Sequence, residues 1–140
     1  EEGASWSAEQ KVDLVMYHQA VRPLFDMLGV CRLPWIELGL NERHYEKFYH
    51  YVTGKTMTLE ELLELSDRVY NLTRRINIRL GATRKADSLP FKVTKAPVLT
   101  GPNAGKTLDE HEFEKMLSLY YEKRGWDKDG VPPVEIETTF

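Results

Sequence analysis

Apolar residues recur at helical spacing in four stretches of the chain, and the polar residues between them carry start and stop signals. The first stretch opens at Ser7, with Gln10 three residues on as the reciprocal partner of a capping box. Leu14, Tyr17, Val21, Leu24, Phe25 and Leu28 then form one apolar stripe, and Gly29 ends it. Pro23 lies inside that stripe and predicts a kink or a division, because proline removes a backbone donor and crowds the preceding turn. The following "VCRLPWIELGL" is expected to be irregular, given Pro34 and Gly39. Asn41 is placed to cap a short helix over "ERHYEKFYHYVTG", with Gly54 as its left-handed terminus.

A second capping box, Thr58 with Glu61, opens the longest helix. Its core face is expected to carry Leu62, Leu65, Val69, Leu72, Ile76 and Leu80, with Gly81 as the stop. Residues 82–106 hold prolines and glycines but no helical period, with at most a short extended piece around Val98 and Leu99. They predict a long ordered loop. Thr107 and Glu110 read as a third capping box, before a helix running to Gly125. The expectation is an all-α fold: a single helical domain over 1–140, with about four main helices and a long ordered loop before the last.

Composition narrows the classes. At 140 residues and 41% hydrophobic content, one core is affordable without a disulfide framework. Net charge is -3, from 19 Lys+Arg against 22 Asp+Glu, which argues against a polyanion-binding domain. A single cysteine excludes an internal disulfide and points to a reducing cytoplasm. No apolar stretch is long enough for a membrane span, and "EEGASW" carries no signal-peptide pattern.

The segment "TGPNAGKT" invites a phosphate-loop reading, because Gly105, Lys106 and Thr107 fit the second half of G-x-x-x-x-G-K-[ST]. The first glycine falls at Gly101, one residue late, which leaves the loop one N–H short of the usual cradle. No buried strand precedes it, and no second strand ends in a metal-binding Asp. It reads as a turn leading into a helix. A nucleotide-binding regulator rests on this segment alone.

Arg68, Arg74, Arg75, Arg79, Arg84 and Lys85 make the long helix and its exit basic. Without excess positive charge, that stripe is better suited to a partner domain, internal acidic groups or an anionic cofactor than to nucleic acid. His18, His44, His50 and His111 lack the i, i+4 spacing of a helical zinc site. The aromatics of "HYEKFYHY" and "LYYEKRGW" have the spacing of core packing. Tyr120 and Tyr121 face adjacent directions, so one should be buried, with its hydroxyl in need of a partner.

The chemistry-bearing constellation is "FDMLGVC". A helix C-terminus repels negative charge, so Asp26 in the last turn should be matched by an external donor. Gly29 permits close approach to the backbone. Cys31, five residues after Asp26, offers a thiolate, the preferred ligand of iron–sulfur clusters, although an isolated cysteine is more often inert core.

These residues resemble a known family. "DMLGVC" is similar to the D-x-x-G-[LV]-C motif of tungsten-containing aldehyde:ferredoxin oxidoreductases. "RVYNLTRRINIRLGATRKADSLP" resembles the family's N-x-R-x-G followed by R-x-D-D-x-L-P, with Ala86 in place of the first Asp and Asp87 as the second. "YYEKRGWDKDGVP" resembles its closing Y-Y-x-x-R-G-W-D-x-x-G-x-P. The likeness implies the helical C-terminal domain of an enzyme that oxidises aldehydes to carboxylic acids. Such an enzyme uses a tungsten, less often molybdenum, centre held by two pterin dithiolenes. Electrons pass through a [4Fe-4S] cluster to ferredoxin.

Carried over by position, Asp26 would hydrogen-bond one pterin, and Gly29 and Val30 would bring backbone to it. Cys31 would be the fourth cluster ligand. The family's C-x-x-C-x-x-x-C run and its catalytic acid/base residues have no counterpart here, so no catalytic residue is assigned and the chain alone is expected to be cofactor-free and inactive. Its partners would be the remaining domains of the enzyme. Cys31 is then expected to be accessible, on a surface those domains cover, beside an exposed apolar patch. Family chains usually close with a short helix, for which "PVEIETTF" is weak. The alternative is a non-catalytic helical interaction module derived from the same family.

Overall fold

The computed structural model describes residues 6–133, so the chain's first five residues and nearly all of "PVEIETTF" lie outside the described residues. Among these the chain is all-helical: α1 (Ala8–Leu28), α2 (Leu33–Leu38), α3 (His44–Thr53), α4 (Leu59–Arg79), α5 (Phe91–Lys95) and α6 (Glu110–Lys123), with a 3-10 turn at Arg84–Asp87 and no strand. Backbone contacts divide it into two compact units: residues 13–73, and residues 6–12 with 74–133.

Two of the three capping boxes form as read. Ser7 and Gln10 exchange bonds of 2.9 and 3.2 Å, and Thr58 and Glu61 exchange bonds of 2.8 and 3.2 Å. The third does not. Asp109 caps α6, accepting from the amides of His111 and Glu112, so the helix starts later than Thr107. A carboxylate beside the free amides of a helix start outcompetes a hydroxyl two residues earlier. Similarly, the Asn41 side chain accepts from the Arg43 amide at 2.9 Å, in a tight lead-in that delays α3 to His44.

Pro23 does not divide α1. "VCRLPWIELGL" is not irregular either, because Pro34 sits in the first turn of α2, where a missing N–H costs nothing, and Gly39 closes that helix at φ 64°. Residues 82–106 contain the 3-10 turn and α5 as well as loop. The extended piece expected at Val98 is one arm of a tight loop, with Val98 N–H on the Lys106 carbonyl and Gly105 N–H on the Val98 carbonyl.

In the unit of residues 13–73, Val21, Phe25 and Tyr45 form one buried cluster, against which Leu28, Val30, Trp35, Leu40 and Leu63 pack. Leu24, Leu59 and Leu62 form another. Each fully buried aliphatic side chain contributes roughly 1.5–3 kcal/mol. The face of α4 departs from its stripe: Ser66 is fully buried with its hydroxyl on the Ala20 carbonyl, while Ile76 and Leu80 are exposed.

The other unit is organised by polar groups. Arg74 grips Asp87 with two parallel bonds of 2.8 and 2.6 Å, and its Nε donates to the Gly130 carbonyl at 2.9 Å. The buried Tyr121 hydroxyl donates to the same Asp87, as the need for a partner predicts. Arg84 stacks on the Tyr121 ring at 4.9 Å and bonds Glu114, Ser118 and the Lys128 carbonyl. Arg75 donates to the Pro132 carbonyl. These arginines of the basic stripe are therefore used internally. Asp127 folds the "WDKDG" turn by accepting from the amides of Asp129 and Val131.

Candidate functional site

The end of α1 is a Schellman motif. Gly29, at φ 64°, donates to the Asp26 carbonyl at 3.2 Å, and Val30 donates to the Phe25 carbonyl at 3.0 Å. The apolar contact that accompanies this motif is present too, since Val30 packs on the cluster containing Phe25. Gly29 is thus required by its backbone conformation, and Val30 by packing. A Cβ built on Gly29 would meet nothing within 4 Å, so the bend is open on its outer side.

The side chains around the bend are turned outward. Asp26 and Cys31 are both exposed. Directly after Cys31, α2 buries none of its residues, and Leu33, Ile36 and Leu38 are 52%, 50% and 80% exposed. Three large apolar side chains in six residues of open surface are the kind of patch that a partner covers. The accessible thiol and neighbouring apolar surface expected from the sequence are therefore observed. Among the described residues no group of three or more His, Cys, Asp or Glu side chains converges to hold a metal. Cys31 can supply one ligand to a group completed by other residues, and no more.

Tyr45 lies beneath this bend and was not singled out by sequence. It belongs to the buried cluster on which Val30 rests, its ring meeting Phe25 at 5.2 Å and Phe48 at 5.6 Å. Its hydroxyl is buried without a hydrogen-bond partner. Burial, and secondly the charge of Cys31, raise the phenol above its ordinary value. Nothing in "HYEKFYHY" distinguishes an unsatisfied tyrosine from a merely packed one. Farther along α1, the Tyr17 hydroxyl donates to Glu42, which also accepts from Trp35 Nε1 at 3.3 Å. Burial and then Glu42 push Tyr17 up to about 12.

The phosphate-loop segment is also exposed, and a Cβ on Gly101 or Gly105 would meet nothing within 4 Å. The amides of Ala104, Gly105 and Lys106 are bonded within the loop, and Lys106 Nζ donates to Asn103 at 3.2 Å. No strand precedes it among the described residues. These donors already have partners.

Comparison with known proteins bears on the whole chain. Residues 2–137 match the family described as "Aldehyde ferredoxin oxidoreductase, domains 2 & 3". The chain is 30% identical over 129 residues to the tungsten-containing aldehyde ferredoxin oxidoreductases of Pyrococcus abyssi and Pyrococcus furiosus, and 29% identical to that of Thermococcus kodakarensis. Each alignment covers 91% of this chain and 20% of the relative, so the chain spans about a fifth of their length. Its fold is also that of part of the active-site complex BamBC of benzoyl coenzyme A reductase, solved with 1,5-dienoyl-CoA. That likeness has a TM-score of 0.72 and 24% identity, over 96% of this chain and 19% of the other.

Proposed function

This chain belongs to the aldehyde ferredoxin oxidoreductase family, and we propose that its α1–α2 bend forms one wall of a site for a tungsto- or molybdopterin and a [4Fe-4S] cluster in a full-length enzyme. The observation that carries the reading is the exposed Asp26–Cys31 bend, followed by an apolar helix with no buried residue. Only a larger assembly would cover such a surface.

The residues present fit these groups. Asp26 holds an exposed carboxylate in the last turn of α1, where the helix dipole disfavours negative charge. A pterin edge carrying two parallel N–H groups would relieve that repulsion and bind bidentately. The amides of Gly29 and Val30 are already committed to the helix cap, so this backbone can offer only carbonyl acceptors to a neighbouring pterin. The open side of Gly29 lets such a group approach. Cys31 is the one cysteine and would supply the fourth thiolate, the other three coming from outside this chain.

When bound, these cofactors supply the two-electron oxidation of an aldehyde to a carboxylate and the one-electron route to ferredoxin. The chain's own part is to bind, orient and cover, in a reducing cytoplasm where Cys31 stays free of disulfides. The test is metal analysis of the anaerobically purified full-length enzyme. Cys31→Ala is expected to remove iron or convert the cluster, with tungsten retained; Asp26→Asn is expected to lower pterin and tungsten occupancy with iron retained. An unchanged four-iron spectrum in Cys31→Ala would reject the assignment.

A further inference from the structure

We propose that Glu42 is a positioning residue for Cys31: its carboxylate accepts from Tyr17 of α1 and Trp35 of α2 at once, which fixes the backbone on the far side of the thiol before any cofactor binds. The inference rests on the reading of Cys31 given above and extends it to the segment between α2 and α3.

The first ground is what α2 lacks. It is six residues long, none of them buried, and no side chain caps its start at Arg32. A helix so short does not hold itself together in water, so its place depends on what anchors it. The second ground is the anchor. Trp35 packs on the cluster of Val21, Phe25 and Tyr45. Its ring meets Phe25 at 5.5 Å and His18 at 5.7 Å, and its Nε1 donates to Glu42 Oε2 at 3.3 Å. The third ground is a second donor on the same group. The Tyr17 hydroxyl donates to Glu42 Oε1, so each carboxylate oxygen serves one helix. The bond from Tyr17 is also the main cause that holds the Glu42 carboxyl below its ordinary value, in the acceptor-only form that suits both donors.

These contacts bracket Cys31. Val30, immediately before it, is held by the helix cap of α1 and seated on the cluster; Trp35 and Leu40, after it, are seated on the same cluster. Packing alone leaves an indole free to slide over an apolar surface. A hydrogen bond to a carboxylate that is itself tied to α1 fixes its direction. Cys31 thus sits between two fixed points of the chain, although its own side chain is exposed. A ligand whose backbone is held in place beforehand loses less conformational freedom on binding, so the complex is more stable.

The experiment uses the full-length, metal-loaded enzyme carrying Glu42→Ala, Tyr17→Phe or Glu42→Gln. In Glu42→Ala, amide exchange over residues 33–40 is expected to be about tenfold faster, with exchange in α4 unchanged. Iron is expected to be lost to a chelator several times faster, with tungsten retained. Tyr17→Phe keeps the ring and should show both effects more weakly; it decides the matter by the same readouts if Glu42→Ala does not fold. Glu42→Gln keeps an oxygen for the Trp35 N–H and an amide that can donate to Tyr17, so it should restore most of the unmutated behaviour. Unchanged exchange over 33–40, or faster exchange there with iron release unchanged, would overturn the inference. So would a general loosening, with α4 exchange raised and tungsten lost alongside iron. Cys31→Ala separates the two failures. If Cys31→Ala disrupts the cluster while Glu42→Ala leaves iron release unchanged, the positioning role is wrong and the ligand stands. If Cys31→Ala leaves the cluster intact, both fall.

Discussion

Two helices of this protein end in the same backbone motif and put it to opposite use. α1 closes through Gly29 and α6 through Gly125, where Gly125 donates to the Glu122 carbonyl at 2.9 Å and Trp126 to the Tyr121 carbonyl at 2.9 Å. After Gly125 the chain turns inward: Trp126 is buried and lies under the Arg74 and Arg124 guanidiniums at 5.3 and 5.5 Å. After Gly29, Val30 and Trp35 pack on the core cluster, while Cys31 and the Leu33, Ile36 and Leu38 side chains of α2 stay exposed. Both ends lie in segments that resemble motifs of the family. One set folds the domain; the other presents groups that the fold does not use. The lesson is that a family motif becomes a functional assignment only when its side chains are left over after local structure has taken its share.

The sharpest way to break this contrast is at Asp87. It accepts both bonds of Arg74 and the Tyr121 hydroxyl, so Asp87→Ala strands a largely buried guanidinium. The expected loss is about 3–5 kcal/mol in denaturant unfolding. Next is Gly130→Ala. A Cβ there would stand 2.6 Å from Arg74 Nη2 and 2.6 Å from the Tyr121 ring, on a backbone at φ 77°. Overpacking of this kind costs about 1–3 kcal/mol, and the same change at Gly29 meets no neighbour and carries only the backbone strain.

Alkali provides a milder probe. Burial, then Asp87, push Tyr121 up to about 12 from its ordinary 10.0. The folded state therefore holds this proton more tightly than the unfolded chain. Its contribution to stability is complete below pH 10 and is lost as the pH rises through about 12. Tyr121→Phe should abolish that part of the alkaline loss; Tyr17, also at about 12, and Tyr45, raised by burial, contribute to the rest. The smallest effects belong to the open end: Cys31→Ala and Asp26→Asn should each change the stability of the 140-residue chain by no more than about 0.5 kcal/mol.

The sequence already showed the helical class, two of the three capping boxes and the glycine stops, because each follows from periodicity or from a local backbone requirement; the outward Cys31 was expected only from the family resemblance. It misplaced the start of α6, since Asp109 and Thr107 are both acceptable caps and only the formed turn chooses between them. It missed α2 because Pro34 breaks a helix interior yet suits a helix start. It could not show that Ser66 would be buried against Ala20, that Asp87 would join Arg74 to Tyr121, or that the Tyr45 hydroxyl would lack a partner. Those facts depend on residues far apart in the chain.

The contrast between the two helix ends reduces to whether the bend at Cys31 is open here and covered in the complete enzyme. The rate of Cys31 alkylation measures this directly, compared between the 140-residue chain and the metal-loaded full-length protein. A rate near that of a free cysteine in the chain, with strong protection in the full-length protein that is lost on cluster removal, is the predicted result. Slow alkylation in the chain, or equal fast rates in both, would contradict it.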